Sequence, residues 1–182
     1  MKAILHEKSI KNFKNKGANL DKKPFKKPFK KLGFSYLDAA EMIVNLRQLL
    51  IEYQVHYHKL RNYHWNVQGS DFFELHKEFE NEYLNVQEQI DIIAERINVF
   101  GQQPQMTLNE VVKNSNIKEQ SDLVGSRDMV EDILTDFGIL HDTMLEVLNA
   151  SLNIGDAATE QIITEFIRDL EKRNWMFTAW LK

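Results

Sequence analysis

The sequence predicts an all-α protein: a four-helix bundle with a short helix in the long connection between helices two and three, preceded by a basic arm. Three observations carry this. Apolar residues recur at spacings of three and four over four long stretches, which is the period of a helix with one buried face. No stretch alternates with the period of two that marks a strand, and no hairpin signal appears. Eleven lysines crowd into residues 1–31.

The 182 residues suffice for one domain with a sizeable core. Hydrophobic residues make up 43% and charged residues 27%, as in an ordinary soluble protein. No apolar run approaches the roughly 20 residues of a membrane span. The basic N-terminus has no apolar core after it, so no secretory signal peptide is expected. There is no cysteine, which excludes a disulfide framework, a thiolate metal site and a cysteine nucleophile. That composition fits a cytoplasmic protein, and it leaves a protein that handles oxidants no thiol to lose.

The arm is assigned to residues 1–34 and the bundle to residues 35–182. Eleven lysines against Glu7 and Asp21 give residues 1–31 a charge of +9; the whole chain carries −4, so the rest carries −13. A basic arm on an acidic body implies different partners for the two. The repeat KKPFKKPFKK runs from Lys22 to Lys31, and its prolines oppose helix formation.

The first helix starts at Ser35. Ile43, Leu46, Leu50, Tyr53, Tyr57 and Leu60 form one stripe, which His64 extends by four. It ends near Trp65, before Gly69, after about 45 Å. Asp71 with Glu74 is a capping-box signal for the second helix. There Phe72, Leu75, Phe79, Tyr83, Val86, Ile90, Ile93 and Ile97 keep the spacing until Gly101 and Pro104 end it. Thr107–Asn114 reads as a short helix inside a long connection. A third helix covers Arg127–Asn153, with Met129, Ile133, Phe137, Leu140, Met144 and Leu148 inside. Gly155 closes it, and Asp156 caps a fourth helix running to the C-terminus. The short link after the first helix makes the first two helices antiparallel, and the long connection can cross the bundle end to end.

The chemistry concentrates in Tyr63–Arg96. His64 and His76 lie at one end, and Asp91 and Glu95 at the other; His76/Glu80 and Asp91/Glu95 are each spaced by four, which puts each pair on one helix face. Imidazole with carboxylate is a ligand set for iron and similar metals. Taken singly, such pairs are usually solvated helix faces, and a histidine at a helix C-terminus often only favours the dipole. His56, His58 and His141 lack comparable partners and read as structural or surface residues. His76 and Asp91 are about 22 Å apart along one helix axis, whereas a metal bond spans about 2–2.5 Å. One chain therefore cannot bring both ends to one metal. The two residues differ by about 60° beyond whole turns, so an antiparallel two-fold mate would set its Asp91 and Glu95 opposite these histidines, twice per interface.

This segment resembles the Dps proteins, the dodecameric miniferritins of bacteria. Their signature, H-W-x-V-x-G-x-x-F-x-x-L-H-x-x-F-[DE]-x-x-Y followed by D-x-x-A-E-R, is met by His64-Trp65-Asn66-Val67-Gln68-Gly69, Phe72/Phe73, Leu75-His76, Phe79-Glu80, Tyr83 and Asp91-Ile92-Ile93-Ala94-Glu95-Arg96. The closing Glu171-Lys172-Arg173-Asn174-Trp175-Met176 is also similar, so the resemblance covers about residues 36–182. It implies a ferritin-like bundle, a hollow homododecamer, and ferroxidase centres of two irons at two-fold interfaces. Carried over by position, His64, Asp91 and Glu95 hold the first iron; His76 and Glu80 complete a weaker second position. Glu80 stands where many members have aspartate, which changes the geometry of that second position. His64, His76, Asp91 and Glu95 are the catalytic set, and Trp65 lies near it.

The implied reaction oxidises Fe²⁺, with peroxide preferred over oxygen, and stores Fe³⁺ as mineral. In this family acidic three-fold pores admit iron near the turn into the last helix. Asp156 and Glu160 are the candidates here, with Asp156 as a simple N-cap the competing reading. Some members bind DNA through N-terminal lysines. For this arm the candidates are Lys22, Lys23, Lys26, Lys27, Lys30 and Lys31, binding without sequence preference and adding nucleoid association to a cytoplasmic location. The alternatives are a miniferritin that binds no DNA, its arm docked on the shell or merely solubilising, and a DNA-compacting protein with a weak metal site. A ferritin with its site inside one bundle is disfavoured, because no E-x-x-H pair is present.

Overall fold

A computed structural model describes residues 34, 36–104 and 107–182. The six lysines expected to contact DNA, with the arm up to residue 33, lie outside the described residues. Among the described residues five helices follow in order: α1 Tyr36–Asn66, α2 Phe72–Val99, α3 Leu108–Asn114, α4 Ser126–Ile154 and α5 Ala157–Trp180. Among the described residues there is no strand. None of their helices is long and apolar enough to cross a membrane.

Cross-contacts fix the topology. On α1, Asn45 reaches the Glu146 carbonyl, Glu52 meets Thr143, and Tyr63 meets Asp132, so α1 and α4 are antiparallel. Asn85 bonds Asp169 and Arg96 bonds Thr159, so α2 and α5 are antiparallel too. Ser126 at the start of α4 touches Asp71 at the start of α2. The connection from α2 to α4 therefore crosses the bundle lengthwise. Along the way α3 lies on α1, where Gln48 bonds the Asn114 carbonyl and Asn116 bonds Glu52. Helix α1 touches α2, α3 and α4, and this explains why it is buried on more than one stripe, from Met42 and Leu49 to Val55 and Leu60.

The helix stops follow from local chemistry. Gly155 adopts φ 69°, ψ 32° beyond α4, a left-handed conformation that costs glycine little. The Asp156 side chain then accepts from the Thr159 N–H and starts α5. Thr107 caps α3 in the same way through Glu110.

Two expectations are corrected. Asp71 precedes α2 but makes no side-chain cap; its Oδ2 accepts instead from the Ser126 hydroxyl, 3.2 Å away. The buried face of α2 runs Leu75, Phe79, Glu82, Val86, Gln89, Ile93, Ile97. Tyr83 and Ile90, expected on that stripe, are only half-buried, while Glu82 and Gln89 lie inside. Partners on α5 compensate this polarity: Arg173 lies 3.1 Å from Glu82.

Candidate metal centre

His64 closes α1 and His76 sits one turn into α2, so the short turn through Gly69, at φ 101°, folds the two together. Their rings stack with centroids 3.8 Å apart and 22° between planes. His64 Nδ1 lies 2.8 Å from the His76 carbonyl oxygen, and His76 Nδ1 lies 2.7 Å from that of His64. A carbonyl can only accept, so both Nδ1 atoms carry hydrogen. Each neutral ring then keeps its lone pair on Nε2, the tautomer and orientation a metal-binding imidazole needs. Phe72 stacks on the far side of His76 at 4.9 Å, and Tyr83 meets His64 edge-on at 5.4 Å. Aromatic walls thus hold both rings in place.

Glu80 lies one turn beyond His76. Its Oε2 accepts from Lys77 Nζ at 2.7 Å. That hydrogen bond first, and the nearby His64 and His76 more weakly, hold its carboxyl below the usual range. It is therefore an anionic oxygen donor, although it must leave Lys77 to reach a metal. Trp65 is 59% exposed, and the Arg61 guanidinium lies 4.8 Å over its ring.

Asp91 and Glu95 are exposed at the far end of α2. Among the described residues no three histidine, cysteine, aspartate or glutamate side chains converge to hold a metal. His64 and His76 come together; Asp91 and Glu95 stay at the other end of the chain's own bundle.

A ferritin-like domain model matches residues 43–182. The chain is 34% identical over 137 residues to a DNA protection during starvation protein of Helicobacter pylori, covering 75% of this chain and 95% of that one. The chain belongs to the Dps branch of the ferritin-like family. It is 30% identical to a DNA protection during starvation protein of Porphyromonas gingivalis, over 85% of this chain and 98% of the relative. A Dps protein of Vibrio cholerae, described as one of the ferritin-like diiron-carboxylate proteins, superposes with a TM-score of 0.80 at 36% identity, covering 83% of this chain and 95% of that one.

Within this Dps fold, the expected pore residue Asp156 lies inside the bundle. It is 2% exposed. The Arg96 guanidinium donates to both its oxygens, at 2.6 and 2.7 Å, and to Thr159 Oγ1 at 2.7 Å. Asp156 therefore clamps the end of α2 to the start of α5. Glu160 is half-buried and Glu165 exposed on the same first turns. Sequence reasoning also passed over a buried network on α1 and α4. Lys59 bridges Asp132 and Asp136 at 2.9 Å each, and His56 Nδ1 meets Asp136 at 2.8 Å. Polar residues at helical spacing on both helices, His56 with Lys59 and Asp132 with Asp136, were its signal.

Proposed function

We propose that this protein is a miniferritin. In this reading it oxidises Fe²⁺ at sites completed between subunits, keeps Fe³⁺ as mineral inside a homododecameric shell, and binds DNA through its lysine arm. The observation that carries the reading is the reciprocal His64–His76 pair, whose Nε2 lone pairs are left for a ligand. Its counterpart is Asp91 with Glu95 on the same helix, about 22 Å away, too far for the same chain. A two-fold mate running antiparallel supplies the missing half of each site.

Iron is substrate here. Neutral imidazoles bind Fe²⁺ exchangeably, while the carboxylates favour Fe³⁺ as it forms. Two Fe²⁺ ions side by side each give one electron to one peroxide. The O–O bond breaks, two protons are taken up, and two waters leave without a free hydroxyl radical. Glu80 joins the second position after releasing Lys77. Trp65 lies next in sequence to His64, where it reports metal binding through its fluorescence. Glu160, with Glu165, remains the acidic candidate for the path by which iron enters. The names of the relatives support the DNA role, and the charge of the arm supplies a physical means for it.

Size-exclusion chromatography with light scattering on iron-loaded protein tests the shell and the mineral together. A mass of about twelve subunits with co-eluting iron absorbance is expected. A monomer or dimer, or a dodecamer that elutes without iron, would overturn the reading. Stopped-flow oxidation of Fe²⁺ with peroxide and with oxygen then decides the oxidant.

A further inference from the structure

The core of the bundle is crossed by two polar seams that stop short of each other. On the α1/α4 side, Asp136 accepts from Lys59 Nζ on one oxygen and from His56 Nδ1 on the other. An ionised carboxylate can only accept, so His56 Nδ1 carries a hydrogen, and in the neutral ring Nε2 then presents a lone pair. That Nε2 is buried and has no hydrogen-bond partner among the described residues. On the α2/α5 side, Glu82 is 3% exposed, and its Oε2 likewise has no hydrogen-bond partner among the described residues. Arg173 Nη1 is 3.1 Å from that oxygen, close enough for an ion pair, but no N–H points at it. Asn85 and Arg173 continue this seam to Asp169.

Both unpartnered atoms belong to residues lining one small cavity, which Tyr53, Asn85 and Gln89 also line. It offers about 10 Å³ to the centre of a water-sized sphere, room for a single water. An occupant within reach of both acceptors must donate twice, and water does so within that volume. Burial first, then the charges of Glu82 and Asp169, push the Tyr53 phenol well above its usual range. It stays protonated, a further donor on the cavity wall. A metal ion is disfavoured, because no three anionic or imidazole ligands converge among the described residues and the Arg173 cation already stands beside Glu82.

We propose that the bundle holds one internal water that donates to His56 Nε2 and to Glu82 Oε2. This water joins the two seams into one line of polar groups from Asp132, through Lys59, Asp136 and His56, to Glu82, Arg173 and Asp169. It makes the polar core positions of α1 and α2 mutually dependent across the bundle.

A crystal structure of the metal-free assembly, at a resolution that shows waters, tests this directly. One fully occupied peak within hydrogen-bond distance of both atoms is expected. Direct contact between His56 and Glu82 with no peak between them would overturn the proposal. So would an anomalous signal at this position after soaking in Zn²⁺ alone. Glu82→Leu removes one acceptor and should lose the water, whereas Glu82→Gln should keep it. A full-occupancy water persisting in Glu82→Leu would also overturn the bridge. If that variant does not fold, the wild-type crystal still decides.

Discussion

His64 and His76 each donate Nδ1–H to the other's main-chain carbonyl, at 2.8 and 2.7 Å. This reciprocity ties the end of α1 to the start of α2 and sets the tautomer of both rings at once. Each ring is oriented by the other residue's main chain and by the ring stacked on it, and each offers its own Nε2. Replacing either removes one ligand and one stacking face, while the main-chain acceptor for the other ring remains. We expect His76→Gln to lower the rate of Fe²⁺ oxidation by about ten- to a hundredfold, measured by stopped-flow absorbance. His64→Gln should do the same, and a double variant should be little worse than either single, because the pair acts as a unit. Fully additive losses would show that the rings act independently.

The distance between the two ends of α2 gives a sharper test. A chain lacking His64 and His76 still has Asp91 and Glu95, and a chain lacking the carboxylates still has its histidines. Neither homo-oligomer should oxidise iron. Mixed in equal amounts and reassembled, the two should regain about a quarter of wild-type activity, since each site draws one half from each of two subunits at a two-fold interface. Recovery absent from a properly mixed assembly, confirmed by mass spectrometry, would refute a shared site.

The helices were legible because Met129, Ile133, Phe137, Leu140 and Met144 keep a strict three-four spacing and all are buried. Of the expected ligands, the structure brings His64 and His76 together and leaves Asp91 and Glu95 exposed at the far end of α2. The inner face of α2 was not legible. Reading apolar residues as buried placed Tyr83 and Ile90 inside, yet Glu82 and Gln89 occupy those turns. The partner that makes Glu82 tolerable, Arg173, is on another helix, and no local pattern announces it. Asp156 repeats the lesson: its capping role could be read from the residues around it, but the Arg96 clamp joins positions 60 residues apart.

That clamp makes stability depend on pH in a stated direction. Burial pushes the Asp156 carboxyl up, but hydrogen bonds from Arg96 and Thr159 and the guanidinium charge outweigh it. The group ends below its ordinary value of 3.8. A depressed carboxyl contributes fully above its unfolded value and loses that contribution as pH falls through the folded one. Asp156→Asn keeps a capping acceptor and removes the charge. We expect it to cost about 2 kcal/mol at neutral pH, less than a fully buried pair because Arg96 is partly exposed. The gap between wild type and variant should close below about pH 3. Thermal unfolding of both proteins at the two pH values checks this; a gap that persists in acid would assign the loss to packing.

The acidic body repels a nucleic acid, so any DNA binding must come from the lysines of residues 1–31. Each lysine that neutralises a phosphate releases counterions, and the affinity then falls with salt on a logarithmic slope of about 0.9 per contact. Changing Lys22, Lys23, Lys26, Lys27, Lys30 and Lys31 to glutamine should flatten that slope by up to about five. Deleting residues 1–31 should abolish binding at low salt. Both variants should still assemble and oxidise iron at the wild-type rate, because the helices that carry the site begin at Tyr36. A gel-shift series across salt concentrations, read beside the size-exclusion profile, separates these outcomes. Undiminished binding by the deleted chain would place the DNA surface on the bundle, despite its net charge. Lost binding together with lost assembly would instead make the arm part of the shell.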